Sequence, residues 1–301
     1  GKYEEAEALH RRALAGREAL LGPQHQSTLA SLSNLGNVLR ATGNYAESEE
    51  LQRRALEWKE ASLGATHPDT LVSVNNLANL MDAMSDYSAA EDLHRRALNA
   101  REVSLGPTHP DTLATLNNLA DVLQRLERHT EAESLHRRAL TSKEESLGLN
   151  HPSTLASLNN LANLLLEMGK LEEAKDLHRK TLDARMQALG PEHPDTLASG
   201  ANLANILQEQ GDFAGAEDLV REVLRGREAV LGKDHASTCV SCGVLAKVLQ
   251  ATGRLEEAES FQRRHFEGLK VIRGETHSDT LTAGANLANL LQALGRYDEA
   301  E

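Results

Sequence analysis

The sequence predicts an all-α solenoid built from stacked helix hairpins. Three observations carry this. The element His-x-x-Thr recurs seven times, beginning at His25, His67, His109, His151, His193, His235 and His277, each copy 42 residues after the last. A fixed period of about 20–50 residues marks a repeat array. Apolar residues within each period fall at helical spacing. All seven prolines (23, 68, 107, 110, 152, 191 and 194) sit in the links between repeats, so none breaks a helix interior.

The unit from His67 to Thr108 shows how a repeat is built. Pro68 and Asp69 follow the histidine. Proline suits a first helical turn because its missing N–H would be unsatisfied there, and aspartate favours the positive end of the helix dipole. Leu71, Val74, Leu77, Ala78 and Met81 form one apolar stripe, so Thr70–Met81 lies in a first helix, helix A. The chain then turns at the position of Gly43, Gly169, Gly211, Gly253 and Gly295, where glycine allows the left-handed conformation that ends a helix; Ser85 and Glu127 are the exceptions. Helix B runs from Tyr87 to about Ser104, with Ala90, Leu93, Ala97 and Leu98 on its apolar face. Leu105-Gly106-Pro107 leads to the next histidine. The chain therefore holds six complete A–B pairs, with a lone helix B before them and a lone helix A after. We expect one array over 1–301, with repeat starts near 25, 67, 109, 151, 193, 235 and 277. The opening Gly1-Lys2-Tyr3-Glu4-Glu5-Ala6-Glu7 matches the closing Gly295-Arg296-Tyr297-Asp298-Glu299-Ala300-Glu301, so the array is expected to be an internal fragment of a longer repeat protein.

Composition narrows the function classes. Of 301 residues, 40% are apolar and only 3% aromatic, so an ordered core must come mostly from leucine and alanine. A net charge of −13 argues against nucleic-acid binding, which needs a basic surface. No apolar run approaches the roughly 18–20 residues that cross a bilayer, and no secretory signal opens the chain. Cys239 and Cys242 cannot make a disulfide framework, so a reducing, cytoplasmic setting is expected.

The phrases Leu116-Asn117-Asn118-Leu119-Ala120, Tyr45-Ala46-Glu47 and Leu135-His136-Arg137-Arg138-Ala139-Leu140 resemble tetratricopeptide repeats. The 42-residue spacing, the His-Pro-Asp-Thr start and the Leu-Gly end resemble the kinesin light chain-like subclass, along the whole chain. The resemblance implies a right-handed α-solenoid of such hairpins, whose concave groove, lined by helix A, takes extended or short helical peptides. It implies a non-catalytic protein–protein interaction scaffold with a protein or peptide partner. Two further roles are consistent with it: a regulatory or sensor array attached to a signalling ATPase or enzyme domain, and a structural component of a larger assembly.

A polar stripe on helix A is the candidate binding face. Asn34, Asn76, Asn118, Asn160, Asn202 and Asn286 share one repeat position. Three residues on lie Asn37, Asn79, Asn163, Asn205 and Asn289, with Asp121 and Lys247 in the remaining repeats; Asn75, Asn117 and Asn159 form a third row. Asparagine is a middling helix former, and each amide offers donors and an acceptor. The rows can hold a peptide backbone, or bond to neighbouring helices and fix the stacking; both roles can coexist. We take Asn34, Asn37, Asn76, Asn79, Asn117, Asn118, Asn160, Asn163, Asn202 and Asn205 as the partner-binding set. The charged residues on this face, Arg40, Asp82, Asp121, Arg125, Glu167, Glu209 and Lys247, sum to −1. Kinesin light chains use basic groove residues for acidic cargo. This face lacks a basic cluster, so a near-neutral or mixed-charge ligand is expected.

Other eye-catching residues read as structural. The seven repeat-start histidines stand one per repeat, too far apart to converge on a metal, and are expected to cap or pack the start of helix A. His10, His94, His136 and His178 share a packing position on helix B. Cys239 and Cys242 replace apolar-stripe residues and are expected in the core. The pairs Arg11-Arg12, Arg53-Arg54, Arg95-Arg96, Arg137-Arg138 and Arg263-Arg264 follow glutamates by three to five residues, as helical ion pairs do. No nucleotide-binding or hydrolase motif is present, so no catalytic residue, cofactor or metal is assigned. One region departs from the pattern: Val220, Glu222, Val223, Val240, Gly243, Val244 and Lys247, then His265-Phe266 and Arg273. This is either a local specialisation or neutral change.

Overall fold

The start of every helix A is set by the repeat histidine. In a computed structural model that describes residues 2–300, His25, His67, His109, His151, His193, His235 and His277 occupy the position just before the helix in extended backbone. Each Nδ1 accepts from the backbone N–H two residues on, at 3.1–3.2 Å. That satisfies one of the orphan donors a helix start leaves exposed. The threonine three residues after the histidine is buried; Thr28, Thr112 and Thr238 donate to the carbonyls of Gly22, Gly106 and Gly232 at 2.8–2.9 Å, tying the link to the helix.

Fourteen α-helices follow one another among the described residues: α1 (Lys2–Leu21), α2 (Gln26–Ala41), α3 (Tyr45–Leu63), α4 (Pro68–Ala83), α5 (Tyr87–Ser104), α6 (Pro110–Arg125), α7 (His129–Leu147), α8 (Pro152–Glu167), α9 (Leu171–Leu189), α10 (Pro194–Glu209), α11 (Phe213–Leu231), α12 (Ala236–Ala251), α13 (Leu255–Arg273) and α14 (Ser278–Ala293). A 3-10 turn covers Tyr297–Glu299, and no strand is present among these residues. Even-numbered helices are A helices and odd-numbered ones B helices, which gives the expected six complete pairs. Helix A outruns the expected Thr70–Met81 by two residues at each end. Ser85 and Glu127 do adopt the left-handed backbone, at φ 63° and 60°, where the other repeats use glycine.

The chain divides into two compact units, Gly1–Gly148 and Leu149–Glu301. Within each unit, consecutive helices pack in order, so the architecture is an α-solenoid of hairpins. The core is made between repeats as well as within them. In the first unit, Leu56 from α3, Val74, Leu77 and Leu80 from α4, Ala90 and Ala97 from α5 and Val122 from α6 form one cluster. In the second, Ala204 from α10, Val220 and Leu224 from α11, Cys242 and Leu245 from α12, Ala258 from α13 and Leu290 from α14 do the same.

Within each unit, polar contacts join most B helices to the helix A after them. Arg101 on α5 reaches Thr115 Oγ1 on α6 at 2.5 Å and the Asp111 carbonyl at 2.9 Å. Arg17, Lys59, Arg185 and Arg227 repeat this against Ser31, Ser73, Ser199 and Ser241 at 2.6–2.8 Å. Burial pushes Lys59, Arg101 and Arg227 below their ordinary pKa values. Each cation is therefore held by neutral acceptors at the repeat junction.

Two substitutions test this packing. Leu119, fully buried on α6, should cost about 2–5 kcal/mol on replacement by alanine, read from chemical denaturation. Glu127→Gly relieves the left-handed backbone and should raise stability by about 1 kcal/mol in the same assay.

Candidate functional site

The asparagine rows lie on the A helices, and within each unit they divide by role. In the first unit, Asn118 donates to Asn75 Oδ1 at 3.3 Å and to Asn79 Oδ1 at 3.4 Å, both on the preceding helix A. In the second, Asn202 donates to Asn159 Oδ1 at 3.2 Å. These rungs tie A helices of neighbouring repeats together. Asn37 accepts from Gln52 on α3 at 3.0 Å, and Asn117 Oδ1 lies 3.3 Å from His136 Nδ1. Asn76 and Asn160 are partly buried. Asn34, Asn163 and Asn205 are exposed, with their amides open to solvent. The structure thus brings part of the set into a stacking ladder and leaves another part facing outward.

Charge on this face follows the unit. In the first, Arg125 on α6 pairs with Asp82 on α4 and stacks over the Tyr87 ring at 5.8 Å. Burial lifts the Asp121 carboxyl to about 6, against the pull of Arg125 and with a push from Asp82. In the second, Lys247 is exposed.

One repeat position on the B helices holds Gln52, His94, His136, His178, Val220 and Gln262, all buried. Burial holds His94, His136 and His178 at pKa values of about 4, helped by the nearby cations Arg101, Lys143 and Arg185 respectively. They are neutral at physiological pH. His136 Nδ1–H can donate to Asn117 Oδ1, while its Nε2 lies 3.5 Å from Asp121 Oδ1. His94 Nδ1 and both ring nitrogens of His178 have no partner.

The remaining motifs take structural places. Every repeat-start histidine uses Nδ1 as a cap, and among the described residues no group of three His, Cys, Asp or Glu comes together to hold a metal ion. Cys239 and Cys242 are free thiols in the core; burial pushes both up, Cys242 to about 11. The arginine pairs do more than the sequence suggests. The expected pairs within a helix form, as in Arg53–Glu49 at 2.8 Å and Arg137–Glu133 at 2.8 Å. Arginines at these repeat positions, Arg221 among them, also reach B helices of neighbouring repeats: Arg11 to Glu47 at 2.5 Å, Arg95 to Glu131 at 2.9 Å, Arg221 to Glu257 at 2.5 Å and Arg264 to Glu228 at 2.6 Å. A separation of 36 residues recurs in these pairs and was the signal to look for.

The irregular region is a set of matched changes. Where most repeats carry a leucine or valine at the position of Gly200, an added Cβ would stand 2.7 Å from Val223, itself in place of alanine. An added Cβ at Gly243 would stand 2.8 Å from His265, and one at Gly284 would stand 3.1 Å from Phe266. Small residues on one helix admit large ones on its partner. Leu269 and Ala283 likewise stand where other junctions set a cation on a hydroxyl. The result is a cleft between α12 and α14, floored by α13 and lined by Val240, Val244, Lys247, His265, Thr282 and Asn286.

Comparison with known proteins agrees with this geometry. A tetratricopeptide repeat model matches residues 1–57, 27–102, 94–145, 111–187, 153–229, 196–270 and 239–301. No curated protein matches the chain. Among solved structures, a candidate kinesin light chain of Podosopora anserina with nearly identical TPR-like repeats is similar at 28% identity and TM-score 0.63, covering 68% of this chain and 97% of that one. BtubC (BKLC) from P. vanneervenii is similar at 23% identity and TM-score 0.67, over 77% of this chain and 93% of its own. The apo quorum sensor NprR from B. thuringiensis aligns over 97% of this chain and 81% of its own at 12% identity and TM-score 0.69, a likeness of fold.

The division of the asparagines can be read in stability. Asn118→Ala should cost about 0.5–1.5 kcal/mol by loss of its rung, whereas Asn163→Ala should stay within about 0.5 kcal/mol of the native chain in the same denaturation assay. The buried histidines predict an acid limit. Their folded pKa lies below the unfolded value, so unfolding takes up protons; their stability is present above about pH 6.5 and lost as pH falls toward 4. Each should cost on the order of 3 kcal/mol by pH 4. His94→Gln and His178→Gln, which copy Gln52 and Gln262, should each flatten the fall in melting temperature between pH 6.5 and 4. His136 is a poorer probe because Asp121, with its raised pKa, titrates in the opposite sense beside it.

Proposed function

The chain belongs to the tetratricopeptide repeat family, and on that premise we propose that it is a non-catalytic protein-interaction scaffold, which takes a peptide or partner segment along the face lined by its A helices. Repeats of this family commonly mediate protein–protein contact. The observation that carries the reading is the division of labour among the asparagines. Amides such as Asn118 and Asn202 are spent on the ladder that holds neighbouring A helices in register. Amides such as Asn34, Asn163 and Asn205 sit on the same rigid helices with their hydrogen bonds open.

An amide on a fixed helix can donate to a peptide carbonyl and accept from a peptide N–H. It does so without losing the entropy a loop would lose. Such contacts read backbone more than side chain, and the balanced charge of the face favours a segment of neutral or mixed charge. A helix A face of this kind fits binding by shape and backbone hydrogen bonding, with modest sensitivity to salt.

Panning a random dodecapeptide library against the chain tests this. Selected peptides should bind the Asn34→Ala/Asn163→Ala/Asn205→Ala variant at least tenfold more weakly by fluorescence anisotropy, with the melting temperature unchanged. Peptides that bind the native chain and the variant equally would place their site off this face.

A further inference from the structure

In the second unit, the B-helix side carries a break in the ion-pair ladder at the junction of α9 and α11. Arginines elsewhere meet a glutamate of the neighbouring repeat: Arg54 meets Glu18, Arg96 meets Glu60, Arg138 meets Glu102 and Arg264 meets Glu228. At this junction the acceptor place holds Met186 and the donor place holds Glu222. Both members of one pair have changed, the cation to an anion and the anion to a thioether. Among the described residues no ion pair joins α9 to α11.

The change opens an apolar cleft. Leu182 and Met186 from α9, Leu197 from α10 and Leu219 and Val223 from α11 line a shallow recess of about 40 Å³, with Glu222 on its wall. Gly200 and Gly226 help to shape it by leaving room at Val223 and Leu197. Met186 and Glu222 are exposed. A second feature lies in the same cleft. Thr196 lines the cleft, is only 3% exposed, and its hydroxyl has no partner, whereas Thr28, Thr112 and Thr238 at the same repeat position bond to a glycine carbonyl. Thr280 on α14 is likewise unpaired. An unpaired buried hydroxyl is unfavourable, and a donor entering the cleft would satisfy it. The recess continues past Pro191, Glu192 and Arg225, so its polar rim carries two carboxylates and one guanidinium.

We propose that this cleft is a docking site for an arginine side chain of a partner protein. The methylene stem would lie on Met186, Leu182 and Leu197, as long cationic side chains lie on apolar surface. The guanidinium would meet the Glu222 carboxylate, which matches its fork, and donate to Thr196 Oγ1. A cation suits the rim, and the chain's net charge of −13 draws basic partners in general. The site lies among the B helices and the start of α10, so it stands or falls separately from the A-helix face.

The test pans a random dodecapeptide library against the full chain bearing Asn34→Ala/Asn163→Ala/Asn205→Ala, which removes the open amides of the other face. Recovered peptides should carry arginine beside apolar residues. Their affinity should fall at least tenfold on Glu222→Gln, and as much when the peptide arginine is replaced by alanine. Met186→Glu/Glu222→Arg should abolish binding while keeping or raising the melting temperature, because it restores the residues and the ion pair of the other repeats. Recovery of no peptide, or of peptides indifferent to Glu222→Gln, would overturn the proposal and leave the A-helix reading to its own experiment. A chain dimer by analytical ultracentrifugation that Glu222→Gln dissolves would also overturn it, by showing a second copy in the cleft.

Discussion

The molecule depends on one constraint: no hairpin can bury its apolar stripe alone. Each helix B must find the helix A of the next repeat, and the core is distributed along these junctions. With so few aromatic residues, leucine and alanine must fill them, so close approach matters more than bulk. A lysine or arginine near the end of helix B marks most junctions, buried at Lys59 and Arg101 and partly buried at Arg185 and Arg227. It caps a carbonyl and holds a serine or threonine hydroxyl on the next helix. Such a cation gives register, because it fits only where the hydroxyl stands. The asparagine rungs do the same on the A-helix side, and the interlocking arginines and glutamates on the B-helix side.

That arrangement explains how the array tolerates local change. A substitution at a junction survives when its partner changes in the opposite sense. Gly200 with Val223, Gly243 with His265, and Leu269 with Ala283 are all changes of this kind. The irregular stretch therefore keeps matched contacts at its junctions while leaving two clefts beside them. What differs is which polar groups are left over. Where Met186 and Glu222 replace an ion pair, a carboxylate and a buried hydroxyl remain without partners. Where Lys247 replaces asparagine, a cation stands free on a face otherwise of amides.

Much of the fold was legible because its signals are local. The period is carried by His-x-x-Thr, the helices by stripes at 3.6-residue spacing, and the turns by glycine. Even the capping role of histidine follows from its place before a helix start. The junction cations were not legible. Their partners are short hydroxyl side chains 14 residues later, and nothing in Ser73 or Thr115 alone announces a buried lysine or arginine. The ladder of ion pairs was hidden for another reason: a glutamate four or five residues earlier already accounted for each arginine. The asparagines were legible as repeated positions on helix A but not as a division of roles. Whether an amide is free depends on what stands 39 or 43 residues away on the neighbouring helix, as Asn118 shows with Asn79 and Asn75. Spacing within one helix carries no trace of that.

The central claim is that the bonded amides hold the array and the open ones hold the partner. Side-chain amide resonances report on both at once. With the tightest library peptide added to isotopically labelled chain, the amide signals of Asn34, Asn163 and Asn205 should include those that shift and broaden, while those of Asn118 and Asn202 keep their positions. Shifts confined to B-helix residues, or movement of Asn118 and Asn202 with the open amides unchanged, would contradict the account.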